Sequence, residues 1–269
     1  MHDCPDYNAT LIERIDITSR LAIMRVRPDS PDFDFTPGQY GTLALMRSAP
    51  RLADAEPEDV AADAPDKLVK RAYSISSGSR TREFVEFFVA LVGSGELTPR
   101  LFALAVGDRL FLGPKAKGLF TLNLVPTDKN VLMVATGTGL APYVSMLRTH
   151  LADRPGQRIA VLHGASYSWD LGYRAELERM AAHTDNLVYL PVVSRPAEDW
   201  SGWTGRLPGW LDSPDLPSAC RFPLDPEQTH ILLCGNPGMI EEARARLEAK
   251  GYQVASAKVQ GGLHVEKYW

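Results

Sequence analysis

Arg71-Ala72-Tyr73-Ser74-Ile75-Ser76-Ser77 places a guanidinium, a phenol ring and several hydroxyls on one short strand-like run. Alternation puts Arg71 and Tyr73 on the same face, where a forked cation and an aromatic plane could hold a phosphate and a flat heterocycle together. Taken alone, the run also fits an edge strand with a solvated arginine and a half-buried tyrosine. A second segment, Val134-Ala135-Thr136-Gly137-Thr138-Gly139-Leu140-Ala141-Pro142, follows the apolar run Val131-Leu132-Met133-Val134 and precedes a helical pattern from Tyr143 to Leu151. Strand, glycine turn and helix in that order bring open N–H groups and bare backbone to a phosphate, although the spacing is not G-x-G-x-x-G. A third segment, Ile231-Leu232-Leu233-Cys234-Gly235-Asn236-Pro237-Gly238-Met239, again runs a buried-type strand into a helix. Pro237 suits the first helical turn, and Gly251 suits the cap after Glu241 to Lys250. The chain closes on Val265-Glu266-Lys267-Tyr268-Trp269, and two large terminal aromatics are expected to cover something.

In this order and spacing the four segments resemble the ferredoxin–NADP(+) reductase family, specifically its bacterial flavodoxin/ferredoxin branch with a terminal Tyr-Trp pair. The resemblance implies an antiparallel FAD-binding β-barrel over residues 1–125. An α/β parallel-sheet NADP-binding domain would follow over 126–269, with the boundary near Asn123 to Lys129 and the aromatic tail returning to the flavin. It implies an FAD-dependent oxidoreductase that exchanges hydride with NADP(H) and single electrons with ferredoxin or flavodoxin. Arg71-Ala72-Tyr73-Ser74 would grip the flavin: Arg71 at the pyrophosphate, Tyr73 stacked on one isoalloxazine face, Ser74 near the hydride-accepting N5. Phe88, Val89 and Ala90 would line it through main-chain groups, while Glu96, Leu97 and Thr98 hold the pyrophosphate. Gly137, Thr138 and Gly139 would approach the second dinucleotide. Tyr268 would cover the other flavin face, where nicotinamide must stack, and Trp269 would pack on the flavin adenine. Cys234 and Glu266 would stand beside the nicotinamide, one as a small wall and the other as a proton relay. Arg195 and Arg206 match positions for the 2′-phosphate of NADP, but Ser166 stands where the family often has a further arginine, which weakens the preference over NADH. Two other readings stay open: an NADH-preferring reductase component of an oxygenase, and a non-redox flavin-binding module on the same fold.

Size and composition agree with this reading. A chain of 269 residues has length for two cores, and its 45% hydrophobic content without an 18-residue apolar run points to a globular protein with no membrane span. No secretory leader opens the sequence, and cytoplasm is the expected location. A net charge of −4 argues against nucleic acid. Cys4, Cys220 and Cys234 are too few for a four-thiolate iron–sulfur cluster, and no histidine spacing suggests a metal site. Strand-like runs at Leu21–Arg27, Gln39–Met46, Arg71–Ser76, Phe84–Leu91 and Arg109–Leu112 predict the barrel. Runs at Val131–Ala135, Ile159–His163, Leu187–Val193 and Ile231–Cys234, with a helix over Tyr173–His183, predict the α/β part. Arg51 to Asp66 reads as a mobile acidic loop, longer than compact relatives need. Lys115 and Lys117 could meet an acidic carrier but also suit a solvated surface, and a monomer is expected.

Overall fold

The computed structural model describes residues 6–58, 66–256 and 258–267, and the chain divides into two compact units, Met1–Leu119 and Phe120–Trp269. The first unit contains β1 (Ala9–Thr18), β2 (Leu21–Pro28), β3 (Tyr40–Met46), β4 (Leu68–Ser74), β5 (Val85–Ala90), α1 (Thr98–Ala103) and β6 (Arg109–Leu112). Its strands pair antiparallel in the order β4-β3-β6-β1-β2-β5, and an Ile75–Phe87 bridge draws the two outer strands together. Leu11, Met24, Leu43, Phe87, Val89, Leu101 and Leu110 fill the interior. The order of an antiparallel barrel-like sheet followed by a parallel sheet is the one expected from sequence, and the predicted strands are present with ends shifted by at most a few residues.

The register of β3 on β4 fixes the geometry that matters most. Tyr73 lies opposite Gly41, Arg71 opposite Leu43 and Val69 opposite Leu45, and residues directly opposed in an antiparallel pair share a face. Arg71 and Tyr73 therefore project from the core side of an outer strand, at the edge where β4 approaches β5.

Of the stretch expected to be a mobile acidic loop, Arg51 to Glu58 and Asp66 are tied into the first unit, while 59–65 lie outside the described residues. Leu52 packs against the barrel core and its N–H donates to the Pro99 carbonyl at 3.1 Å. Glu58 is held by both Arg51 and Arg100, and the Asp66 carboxylate accepts hydrogen bonds from the Ser48 hydroxyl and N–H at 2.6 and 2.9 Å.

The second unit contains β7 (Asn130–Thr136), α2 (Ala141–His150), β8 (Ile159–Ala165), α3 (Arg174–His183), β9 (Leu187–Val193), β10 (Trp203–Thr204), α4 (Leu207–Trp210), α5 (Asp215–Cys220), β11 (Thr229–Gly235), α6 (Pro237–Ala249) and β12 (Leu263–Lys267). All its strands pair parallel, in the order β10-β9-β8-β7-β11-β12. Val131 to Ala135 are fully buried, as a strand covered on both faces requires. The Asn236 side chain caps α6 by accepting from the Met239 N–H at 3.1 Å, Pro237 occupies the first turn, and Gly251 has φ 91° just past the helix. Strand order reverses between β7 and β11, and open parallel sheets bind ligands beyond the strand ends at such a reversal. Among the described residues no helix is long and apolar enough to cross a membrane.

Candidate functional site

In the first unit a cluster of arginines surrounds the end of β4. The Arg71 guanidinium pairs with Glu96 and donates to the Lys70 carbonyl at 2.8 Å, and its side chain is 54% exposed. Tyr73 is half-buried against the core, and burial pushes its phenol well above the ordinary range. Ser74 is buried on the opposite face of the strand. Phe88 and Val89 are buried and Ala90 half-buried on β5, the other outer strand, so their main chain lies along the sheet edge that faces away from β2. Glu96 and Leu97 lead into α1, with Leu97 in the core. The Thr98 hydroxyl donates to the Val92 carbonyl and accepts from the Val92 N–H, both at 3.0 Å, so it closes the 92–98 loop on itself. This edge fits a flavin dinucleotide: an aromatic ring lies two residues from a cation, and a carboxylate already sits as an anion against that cation.

In the second unit Gly137, Thr138, Gly139, Cys234 and Glu266 lie at the reversal between β7 and β11 and the strand beside it, while Arg195 and Arg206 lie apart from them at the β9–β10 edge. Gly137 has φ 53°, a left-handed conformation that favours glycine. At Gly139 a Cβ would lie 2.5 Å from the Cys234 carbonyl oxygen and 2.6 Å from Gly235 Cα, so the two turns are in bare backbone contact. The Thr136 hydroxyl accepts from the Asn236 N–H at 2.9 Å and ties them further. Thr138, half-buried, lies between the two glycines. Register sets Cys234 between Ala135 and Glu266 on adjacent strands, and the buried Cys234 thiol approaches Glu266 Oε2 at 3.9 Å. Arg195 follows β9 and Arg206 follows β10; their strands pair through Val193 and Thr204, so both exposed arginines start from neighbouring strand ends. Arg206 pairs with Glu242 at 3.3 Å. The Arg195 N–H donates to the Ser166 carbonyl at 2.8 Å, which brings Ser166 to the same edge.

Sequence reasoning overlooked three residues here. Arg47, at the end of β3, reaches Glu96 at 3.6 Å. Tyr167 and Trp169 stack at 4.6 Å between ring centroids, 7° from parallel, and the Arg195 guanidinium lies 6.0 Å from the Tyr167 ring. The alternation of Tyr167 and Trp169 just after β8 was a visible signal; Arg47 had none, because its role depends on a residue far along the chain. Tyr268 and Trp269 lie outside the described residues.

The family model for the oxidoreductase NAD-binding domain matches residues 133–245, from β7 into α6. Over 243 residues the chain is 31% identical to the flavodoxin/ferredoxin–NADP reductase of Buchnera aphidicola subsp. Baizongia pistaciae, covering 90% of each sequence. The chain belongs to the flavodoxin/ferredoxin–NADP reductase family. The flavodoxin/ferredoxin–NADP reductase of Escherichia coli K12 is 28% identical over 249 residues, covering 92% of this chain and 93% of that one. The fold matches a ferredoxin NADP+ reductase from Neisseria gonorrhoeae, solved with bound FAD and NADP, at TM-score 0.82 and 23% identity over 98% of this chain and 99% of that one. As a flavodoxin/ferredoxin–NADP reductase family member, the protein is an oxidoreductase whose two units divide flavin-type and nucleotide-type features between them.

Proposed function

We propose that the protein holds FAD on its first unit and exchanges a hydride with NADP(H), passing single electrons to or from a ferredoxin or flavodoxin. FAD when bound supplies the junction between two-electron and one-electron chemistry. The chain's own residues bind and orient it: Arg71 neutralises pyrophosphate charge, and Tyr73, half-buried against the core, offers a flat apolar face. On the second unit the Gly137-Thr138-Gly139 turn presents backbone to a dinucleotide, Cys234 forms a small buried wall, and the Glu266 carboxylate beside it can hold a proton. The observation that carries the NADP reading is the pair Arg195 and Arg206 on neighbouring strand ends, two cations suited to a 2′-phosphate. Ser166 on the same edge, with Tyr167 and Trp169 offering stacking surface instead of charge, favours a modest preference for NADPH over NADH.

The test has two arms. Heat should release FAD from the purified protein, and NADPH should bleach the bound flavin. Arg195→Ala and Arg206→Ala should each raise KM for NADPH selectively by about ten-fold or more, the value of a charge-assisted hydrogen bond. Equal effects on NADPH and NADH reject the phosphate assignment, and recovery of FMN alone rejects the flavin assignment.

A further inference from the structure

Four guanidinium groups, Arg47, Arg51, Arg71 and Arg100, gather around the carboxylates Glu58 and Glu96, and the exposed Asp66, hydrogen-bonded by Ser48, also feels Arg100 and Arg47, so four positive charges meet three negative ones at one edge of the first unit. The arginines are not equivalent. Arg100 is 3% exposed and structural: its guanidinium donates to the Arg47 and Glu96 carbonyls and pairs with Glu58. It thereby fixes the backbone of two residues that are far apart in sequence, and Glu58, from the segment after β3, neutralises it. Arg51 serves the same end, donating to the Glu56 carbonyl at 2.6 Å and pairing with Glu58. Arg47 and Arg71 are the two whose charge is not consumed in this way. Both converge on Glu96, Arg71 closely and Arg47 at 3.6 Å, too long for a hydrogen bond. Arg47 Nε is buried without a hydrogen-bond partner among the described residues, and its side chain is only 19% exposed. A half-buried guanidinium with such poor local satisfaction is costly to maintain unless an anion completes it.

We infer that Arg47 is a second cation for the pyrophosphate of the flavin dinucleotide, and that Glu96 is a built-in anion which occupies the space between Arg47 and Arg71 until the pyrophosphate displaces it. The inference rests on the FAD reading above and adds two residue roles to it. A single carboxylate brings one negative charge to two arginines, whereas a pyrophosphate brings two charges and several acceptor oxygens. The exchange therefore satisfies Arg47 as well as Arg71, and Glu96 turns to solvent, where its 37% exposure already places part of it. Because an incoming ligand must first break the Glu96 pairs, its apparent affinity is lowered by the free energy of that docking. Arg100 and Glu58 keep the two competing groups in register, which gives the segment after β3 a purpose in flavin retention.

The experiment titrates deflavinated protein with FAD and with riboflavin, which lacks both phosphates, following flavin fluorescence for wild type, Arg47→Gln, Arg47→Lys and Glu96→Gln. Arg47→Gln is expected to weaken FAD by about ten-fold or more and to leave riboflavin unchanged, with Arg47→Lys between it and wild type. Glu96→Gln is expected to strengthen FAD roughly two- to five-fold, as loss of partly exposed ion pairs permits, again without effect on riboflavin. FAD affinity unchanged in Arg47→Gln, equal losses for both flavins, or weaker FAD binding in Glu96→Gln would overturn the inference. Should Arg47→Gln fail to fold by circular dichroism, the opposite-signed effect of Glu96→Gln decides the matter. A wild-type protein that binds riboflavin and FAD equally would instead reject the pyrophosphate site as a whole, including Arg71.

Discussion

Two glycines in one turn make opposite demands, and exchanging each for alanine separates them. A methyl on Gly139 would sit 2.5 Å from the Cys234 carbonyl oxygen and 2.6 Å from Gly235 Cα, far inside the 3.4 Å at which ordinary contact begins. Both obstacles are backbone at the end of β11, so no side chain can rotate away. Overpacking costs about 1–3 kcal/mol, and with rigid obstacles Gly139→Ala belongs at the top of that range, about 3 kcal/mol. At Gly137 a Cβ meets nothing within 4 Å; the only cost is φ 53°, about 1 kcal/mol for a left-handed alanine. Urea unfolding of the two variants should therefore show unfolding free energies that differ by about 2 kcal/mol at unchanged slope. The same displacement moves the turn proposed to face the second dinucleotide, so KM for NADPH should rise about ten-fold or more in Gly139→Ala and much less in Gly137→Ala. Equal stability of the two variants would refute the claim that the turns are in backbone contact.

Acid should destabilise the protein through histidines that burial keeps neutral. His163 is pushed down to about 3 and His264 to about 4, in both cases chiefly by burial. The unfolded chain binds a proton near pH 6.5 and the folded one does not, so this stability is intact above pH 6.5 and falls on acidification, at up to about 1.4 kcal/mol per pH unit for each histidine. Urea midpoints between pH 7 and 5 should show the slope, and His163→Gln should flatten it; an unaltered slope would remove His163 from the account. In the barrel, Glu86 is fully buried and meets Arg25 at 2.8 Å. Arg25→Met should destabilise by about 3 kcal/mol, and adding Glu86→Gln should recover much of the loss. Additive losses measured by thermal melts would show that no unpaired buried charge had been created.

What the sequence made legible, and what it hid, follows from the range of the interactions. The β7 and β11 strands with their glycine turns announced themselves because doubly covered strands are continuous apolar runs, as Val131 to Ala135 shows. The first strand, Ala9–Thr18, passed unnoticed because register shifts between Leu11 and Glu13 and between Asp16 and Thr18 break its alternation. Glu58 looked unanchored because composition reports charge and not partners: it is neutralised by Arg100, 42 residues later. Arg71 and Tyr73 were readable as a shared face, but that this face points to the core side depends on Gly41 and Leu43 across the strand pair. Arg195 and Arg206 were readable singly, whereas their adjacency follows from the pairing of Val193 with Thr204.

The hydrogen bond from Asn236 to Thr136 spans 100 residues, and it also dates the site in the life of the chain. β1 pairs with β2 across a short turn, so barrel structure can begin while little of the protein exists. The strand reversal cannot: β7 waits for β11, and the close backbone contact at Gly139 forms only when Cys234 and Gly235 arrive. During synthesis the β7–β11 reversal is therefore among the last places to close, and a chain interrupted after β9 would carry the Gly137-Thr138-Gly139 turn without its opposite wall.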